Sequence, residues 1–142
     1  MRYRELTPAD DELISQAFEV IRRNYREDSH HVGSAVRTRS GDVYAGVHME
    51  SPGQDVCAEW VALGMAVSSG QREFTCIVAV RPTGPDGSMP GVMSPCGICR
   101  ELLNYYAPDI DVIVPAPDGP AKVKISELLP LPYASSRPPE PV

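Results

Sequence analysis

Three cysteines and one glutamate form the pattern in this sequence that most directly indicates chemistry. Cys57 and Glu59 stand in "DVCAEWVALG", and Cys96 and Cys99 stand in "SPCGICREL"; in both stretches a cysteine opens a predicted helix after a loop. A helix N-terminus directs free N–H groups at such a thiol, which lowers its pKa and favours the metal-binding thiolate. We therefore expect the three thiolates to share one metal ion if the two helix starts lie side by side.

Three protein ligands leave one position on a zinc ion open, and an open position is typical of a catalytic rather than a structural site. Zinc lowers the pKa of water to about 7. Glu59 lies in the same helical turn as Cys57 and can accept a proton from that water without being a ligand. Zinc deaminases share the pattern H-x-E…P-C-x-x-C, with a variant that uses three cysteines. Cys57–Glu59 and Pro95–Cys99 match that variant.

The residues alone leave other interpretations of the cysteines open. A lone C-x-x-C motif also occurs in redox proteins and in closed structural zinc sites. A redox pair has no use for Cys57 or Glu59. A closed site needs a fourth ligand, but the remaining thiol, Cys76, lies in the apolar run "FTCIVAV", where a small buried hydrophobic residue is expected. A zinc-stabilised binding protein without turnover would have no need of Glu59.

Hydrophobic periodicity and turn residues predict elements in the order α-β-β-α-β-α-β-β-α. The first helix begins at Pro8 with Thr7 as its N-cap. Asp55 is predicted to cap the second helix, and Ser94 and Pro95 to be the N-cap and first residue of the third. The stretches "SPGQD" and "RPTGPDGSMPGVM" are predicted loops. Helices that alternate with single strands predict an α/β fold with a central sheet and helices on its faces.

Length and composition restrict the domain count and the partners. The 142 residues suit a single domain, predicted over residues 1–133, with a proline-rich tail over 134–142. The net charge of -6 argues against a polymeric nucleic-acid partner, which usually requires a basic surface. The N-terminus is too charged for a signal peptide, and no apolar run reaches the roughly 20 residues of a membrane span. We therefore expect a cytoplasmic protein without a membrane partner.

The chain is similar to the cytidine deaminase family, and most similar to its blasticidin-S deaminase branch. The resemblance rests on "HHVGSAVRTRSGDVYAGVHM", "CAEWVALG", "TCIVAV", "MSPCGICREL" and "ISELLP", which occur in the family's order. It implies a three-layer α-β-α fold around a mixed five-stranded sheet, a bound Zn²⁺, and a homotetramer in which neighbouring subunits complete each active site. Cysteine as the first ligand resembles the family members that act on free nucleosides, which agrees with the acidic charge.

The resemblance also implies roles for individual residues. Cys57, Cys96 and Cys99 resemble the zinc ligands, and Glu59 resembles the residue that transfers protons. Six further residues resemble positions that bind or frame the substrate: His31, His48, Glu50, Ala58, Pro95 and Tyr133. The expected reaction is hydrolytic deamination of the amino-pyrimidine ring of cytidine or deoxycytidine, with release of ammonia. His48 stands where the family usually has asparagine, which leaves open a free base or a nucleoside antibiotic such as blasticidin S.

The charge of the predicted site also needs compensation. Three thiolates and one Zn²⁺ leave the site negative, and ordinary cytidine deaminases place an arginine directly after the C-A-E motif, where this chain has Trp60. We expect N–H groups at the helix starts, together with Arg100 beside Cys99, to compensate that charge.

Overall fold

The computed structural model of the chain describes residues 1–133, so the predicted tail over 134–142 lies outside the described residues. Residues 1–133 form the helices α1 (Pro8–Asn24), α2 (Ala58–Ser68), α3 (Gly97–Tyr106) and α4 (Ile125–Leu128). Their strands are β1 (Gly33–Thr38), β2 (Val43–Val47), β3 (Met49–Ser51), β4 (Gln54–Val56), β5 (Phe74–Thr83), β6 (Met89–Met93), β7 (Asp111–Val114) and β8 (Ala121–Lys124). Within this part of the chain, no helix is both long enough and apolar enough to cross a bilayer.

The fold has three layers, as predicted, and the central sheet is the middle one. Its strands pair in the order β2-β1-β5-β7-β8, with β5 and β7 parallel and the other neighbours antiparallel. The short strand β6 pairs in addition with the C-terminal half of β5. One apolar core joins α1 to the sheet, and a second core joins α2, α3 and α4 to the opposite face. The predicted α/β fold with a mixed five-stranded sheet is therefore confirmed, with β6 as an addition.

Alternation along the central strands divides the apolar residues between the two cores. Ala35 and Val78 lie in the core beneath α1, whereas their neighbours Val36 and Ile77 lie in the core beneath α2 and α3. This is the period of two that a strand buried on both faces requires. The continuous apolar run in β5 therefore serves both layers, as its sequence predicts.

The register of β1 brings the ends of β2 and β5 to the same edge of the sheet. Gly33, the first residue of β1, pairs with Val47 at the end of β2 and with Val80 of β5. Because β1 is antiparallel to both strands, β2 and β5 run in the same direction. The short β3–β4 hairpin joins β2 to α2. Strand β6 turns back along β5 and ends with Met93 opposite Ala79, just before α3, so both helices start at that edge. Gly46 lets α2 approach β2, since an added Cβ would lie 2.5 Å from the Val61 side chain.

The predicted start of α1 is confirmed, but the predicted N-caps of α2 and α3 are each wrong by two residues. Thr7 caps α1 and forms a capping box with Asp10. Cys57 and Cys96 are themselves the N-cap residues of α2 and α3. Asp55 does not cap α2, because its pairing in β4 keeps it in an extended strand.

Both predicted loops contain strands. The stretch "SPGQD" forms most of the β3–β4 hairpin, which is closed by Gly53 with a φ of 84°. The stretch "RPTGPDGSMPGVM" contains β6, in which Pro90 pairs with Pro82 of β5. Proline is accepted in an edge strand where its missing N–H has no ladder partner. The pairing between distant segments outweighs the local turn chemistry on which the prediction rested.

A buried carboxylate connects three elements on the α1 side of the sheet. The fully buried Asp10 of α1 lies 3.0 Å from Nη2 of Arg37 on β1 and 2.8 Å from Nζ of Lys122 on β8. The backbone N–H of Thr7 also donates to it, at 2.8 Å. Burial alone would raise the pKa of Asp10, but the hydrogen bonds from Lys122, Thr7 and Arg37 outweigh burial and lower that pKa to about 2. Asp10 therefore stabilises the fold in its ionised form.

We expect the stability conferred by ionised Asp10 to be lost in acid. Its folded pKa lies below the ordinary value of 3.8, so its contribution of about 2 kcal/mol is present above pH about 5 and disappears as the pH falls to about 2. Urea unfolding from pH 7 to pH 2 should show the wild type losing its advantage over Asp10→Asn across that window. Asp11→Asn, in the same helical turn but exposed, serves as the control. A constant free-energy difference between wild type and Asp10→Asn would contradict this role.

Candidate active site

The starts of α2 and α3 place three thiols together. Cys57 precedes the first residue of α2, Cys96 precedes the first residue of α3, and Cys99 lies in the first turn of α3. Their Sγ atoms all lie within 4.8 Å of one another, and those of Cys57 and Cys96 are 3.6 Å apart. Cys99 is buried, Cys57 is partly buried and Cys96 is exposed. The convergence expected from the sequence is therefore present.

The thiols differ in how readily they ionise in the absence of a cation. Burial raises the pKa of Cys57 to about 11 and also raises the pKa of Cys99, beside which the Glu59 carboxylate adds its charge. Burial also opposes ionisation of Cys96, but hydrogen bonds from the N–H groups of Cys99 and Ile98 and from the neighbouring thiols lower its pKa. The expectation that a helix start lowers a thiol pKa thus holds for Cys96 alone, because burial, with a smaller contribution from neighbouring negative charges, raises the pKa of Cys57 and Cys99.

The donor set fits a zinc ion. Thiolates bound to tetrahedral zinc at about 2.3 Å lie about 3.8 Å from one another, which is close to the distance between Sγ of Cys57 and Sγ of Cys96. A divalent cation also removes the mutual repulsion that keeps the thiols protonated. Three ligands would leave one position on the metal for a water or a substrate.

Glu59 is the buried acid of this site. It follows Cys57 by two residues in the first turn of α2, and 6% of its surface is exposed. Burial raises its pKa, more than its own backbone N–H and the Cys99 thiol lower it. A carboxyl group that is buried beside a thiol cluster, with no cationic partner within residues 1–133, is suited to accept and release protons.

A pocket of about 120 Å³ opens onto Cys57, Cys96 and Glu59. Among the residues predicted to bind substrate, His48 and Ala58 line it. The remaining lining residues are Val32, Cys57, Glu59, Ala79, Met93, Ser94 and Cys96. Sequence reasoning missed Val32, Ala79 and Met93. Val32 directly precedes β1, Met93 is the last residue of β6, and Ala79 is its partner on β5, so nearness to these strand ends was the available signal.

Four predicted substrate-binding residues lie outside the pocket lining. The His31 ring stacks on that of His48, with centroids 5.3 Å apart. Glu50 is exposed on β3, directly opposite Asp55 of β4. Pro95 is buried, and 83% of Tyr133 is exposed, with its backbone N–H donating to Glu101. The substrate roles of all six residues stay predictions.

The side chain of His48 has a defined orientation at the pocket wall. The backbone N–H of His31 donates to Nδ1 of His48 at 3.3 Å, so the neutral ring carries its proton on Nε2. Nε2 lies 3.7 Å from Oδ1 of Asp55. His31, His48 and Glu50 are also close enough to share a metal ion. With its proton on Nε2, His48 offers a hydrogen-bond donor at the pocket wall.

Comparison with known proteins places the chain in a family. A family model described as "Cytidine and deoxycytidylate deaminase zinc-binding region" matches residues 7–114. The chain therefore belongs to the cytidine and deoxycytidylate deaminase family, as its resemblance predicts. It is a zinc-dependent hydrolytic deaminase with a Cys57, Cys96 and Cys99 cluster suited to the metal. A redox protein and a binding protein without turnover are accordingly not favoured.

Individual relatives and solved structures agree with this assignment. The chain is 42% identical over 137 residues to a blasticidin-S deaminase from Bacillus cereus, a match that covers 94% of this chain and 98% of the relative. It is 35% identical over 103 residues to a cytidine deaminase from Halalkalibacterium halodurans, which covers 70% and 74% of the two chains. The crystal structure of cytidine deaminase from Burkholderia pseudomallei superposes with a TM-score of 0.73 at 28% identity, over 90% of this chain and all of that one.

We expect the purified protein to bind one zinc ion per chain through the three thiols. Metal analysis after dialysis should give about one equivalent for wild type and a large loss for Cys57→Ser and Cys99→Ser, because two thiolates hold zinc far less tightly. The matched control is Cys76→Ala, which removes the buried thiol of β5 outside the cluster. Full zinc occupancy in Cys57→Ser, or loss in Cys76→Ala, would contradict this ligand set.

Proposed function

We propose that this enzyme hydrolyses the exocyclic amine from the cytosine ring of a free nucleoside or nucleoside-like compound and releases ammonia. The observation that carries this proposal is the buried Glu59 beside three convergent thiols at the base of a small pocket. The family match supports the reaction, and the named activities of the relatives support the substrate class. The acidic net charge of the chain favours a small substrate over a nucleic-acid polymer.

The residues divide the chemistry between them. Zinc, when held by Cys57, Cys96 and Cys99, supplies a Lewis acid that lowers the pKa of water to about 7. Glu59 accepts the proton of the attacking water and donates it to the ring nitrogen next to the reacting carbon. The carboxylate so regenerated then accepts the proton of the hydroxyl group added to the ring and transfers it to the departing amine, so that the ring carbonyl forms as the carbon–nitrogen bond breaks and ammonia leaves. The backbone at Ala58 and Pro95 orients the ring, and the apolar Val32, Ala79 and Met93 exclude bulk water.

A first assay follows the ultraviolet absorbance change on deamination of cytidine, deoxycytidine, cytosine and blasticidin S by the zinc-loaded protein. We expect turnover of at least one nucleoside, and a loss of about 10²- to 10⁴-fold in kcat for Glu59→Gln, because proton transfer is removed. The variant should still bind zinc, since Glu59 is not a ligand. Wild-type turnover in Glu59→Gln would refute the proton-transfer role, and silence on the whole panel would refute the substrate class.

A second observation favours a cationic nucleoside-like compound, of which blasticidin S is the candidate. The β3–β4 hairpin runs from His48 to Cys57 and carries Glu50 and Asp55 directly opposite each other. Like charges in this register destabilise a hairpin unless a cation or a donor lies between them. The guanidine group of such an antibiotic would supply that cation. The 42% identity to a blasticidin-S deaminase over nearly the whole chain also supports this candidate.

Removal of the Asp55 charge should weaken binding of the cationic blasticidin S more than binding of the uncharged cytidine. Asp55 is solvent-exposed, so its attraction to a guanidine is worth up to about 1 kcal/mol, and Asp55→Asn should raise the KM for blasticidin S about fivefold. The KM for cytidine should change less, and added salt should diminish the difference. Asp118→Asn, in the turn between β7 and β8, is the charge-matched control. An equal change for both substrates would argue against recognition of a cation by this hairpin.

We further propose that the active enzyme is a homotetramer in the cytoplasm. The pocket of about 120 Å³ is smaller than the roughly 300–1,000 Å³ of ligand sites, so a neighbouring subunit would supply the remaining wall. Large apolar side chains stand exposed beside the metal ligands, at Trp60 and Ile98. Light scattering on the purified enzyme should give four chains per particle.

The cytoplasmic location is proposed because a reducing compartment would keep the cysteines as thiols rather than disulfides. With cytidine as substrate, the reaction would belong to pyrimidine salvage.

A further inference from the structure

Arg100 uses all of its guanidinium nitrogens on groups around the metal-binding segment. Nε donates to the Pro95 carbonyl oxygen at 2.9 Å, Nη1 to the Leu128 carbonyl oxygen at 3.1 Å, and Nη2 to Oγ of Ser94 at 3.1 Å. Within residues 1–133 it forms no ion pair with a carboxylate. The hydrogen bonds that involve Arg100 therefore end on backbone and hydroxyl oxygens rather than on the thiols.

We propose that Arg100 is a positioning residue for the metal centre: it fixes the segment Ser94–Cys96 against α3 and α4, and through that segment it holds the Cys96 thiolate and Ser94 in place. The inference concerns how this chain holds its zinc, and it does not depend on which substrate the enzyme takes. It differs from the expected charge compensation, because the contacts are directional hydrogen bonds to a loop.

The segment needs such a restraint because it has no regular secondary structure of its own. Ser94–Cys96 joins the end of β6 to the start of α3, and it carries one zinc ligand and one pocket residue. Pro95 is buried, and a buried carbonyl requires a donor. Arg100 follows Cys99 directly on α3, so one side chain braces the loop that carries Cys96 to the helical turn that carries Cys99.

The hydrogen bond from Nη1 of Arg100 to the Leu128 carbonyl oxygen connects the metal-binding segment to the C-terminal part of the domain. Leu128 is the last residue of α4, and its carbonyl is one that a helix end leaves without an intrahelical donor. The next residue of α3, Glu101, accepts the backbone N–H of Tyr133. The turn of α3 that follows Cys99 therefore anchors both the metal-binding loop and the chain beyond α4.

Arginine is suited to this role in a way that lysine is not. The planar guanidinium presents N–H groups in a fixed fork that can serve three separated acceptors at set angles, whereas an ammonium carries its three N–H groups on one nitrogen at the end of a flexible stem. Arg100→Lys would keep the positive charge but lose most of the directed contacts. Arg100→Gln would lose both. A comparison of these two variants therefore shows whether the directed hydrogen bonds or only the positive charge of Arg100 matters.

The test measures the zinc site directly. The rate at which zinc is lost to an excess of chelator should rise about tenfold to hundredfold in Arg100→Gln, which is the usual effect of removing a partner that orients a ligand. Arg100→Lys should lie between wild type and Arg100→Gln. The cobalt(II)-substituted variants should show shifted thiolate charge-transfer bands. The matched control is Arg72→Gln. Arg72 follows the C-terminal end of α2, away from the thiols, and it also donates to backbone carbonyls, those of Val67 and Gln71.

Three results would overturn the proposal. The first is a wild-type rate of zinc loss and a wild-type cobalt spectrum in both Arg100 variants. The second is wild-type behaviour in Arg100→Lys alone, which would leave charge as the operative property. The third is lowered thermal stability in Arg100→Gln without a change at the metal, which would make Arg100 a structural residue only. Because none of these readouts uses a substrate, an enzyme that is silent on the nucleoside panel is still tested.

Discussion

Three thiols that lie within 4.8 Å of one another in a partly buried site cannot all ionise unless a cation neutralises them. Burial raises the pKa of Cys57 and Cys99, and the hydrogen bonds at the start of α3 lower the pKa of Cys96 only. The fold must therefore hold Cys57 and Cys99 together while they are still protonated thiols, and a bound metal ion would then favour their ionisation. It does so through the register of β1, where Gly33 pairs with the ends of both β2 and β5.

The two faces of the sheet carry two buried carboxylates with opposite properties. Asp10, on the α1 side, is held ionised by Arg37 and Lys122 and links three elements of the fold. Glu59, on the α2 side, has no cationic partner among the described residues, and its pKa is raised by burial. Both side chains carry a carboxyl group, and the groups around each one decide whether it stabilises the structure or stays available for proton transfer.

The parts of the site differ in how firmly they are held. The thiols and Glu59 lie on the first turns of two helices that pack on the sheet, which gives them fixed positions. The β3–β4 hairpin, in contrast, is exposed and connects His48 to Cys57 without packing into either core. Under the proposed recognition of a cation by Glu50 and Asp55, the fixed thiols and Glu59 would act on the reacting ring, and the exposed hairpin would contact the remainder of the substrate.

The sequence by itself predicted that the three thiols converge, that Glu59 stands beside them, and the class of fold, because each depends on local spacing. The C-A-E and P-C-x-x-C motifs, the cap at Thr7 and the apolar run of β5 all express their signal within a few residues. Only the tertiary structure decided that Asp55 lies beside His48 rather than at a helix start, and that β6 pairs with β5. It also decided that Arg100 holds the Ser94–Cys96 segment instead of facing the thiols. These outcomes depend on pairing between segments far apart in the chain, and no local pattern records which distant partner a residue will meet.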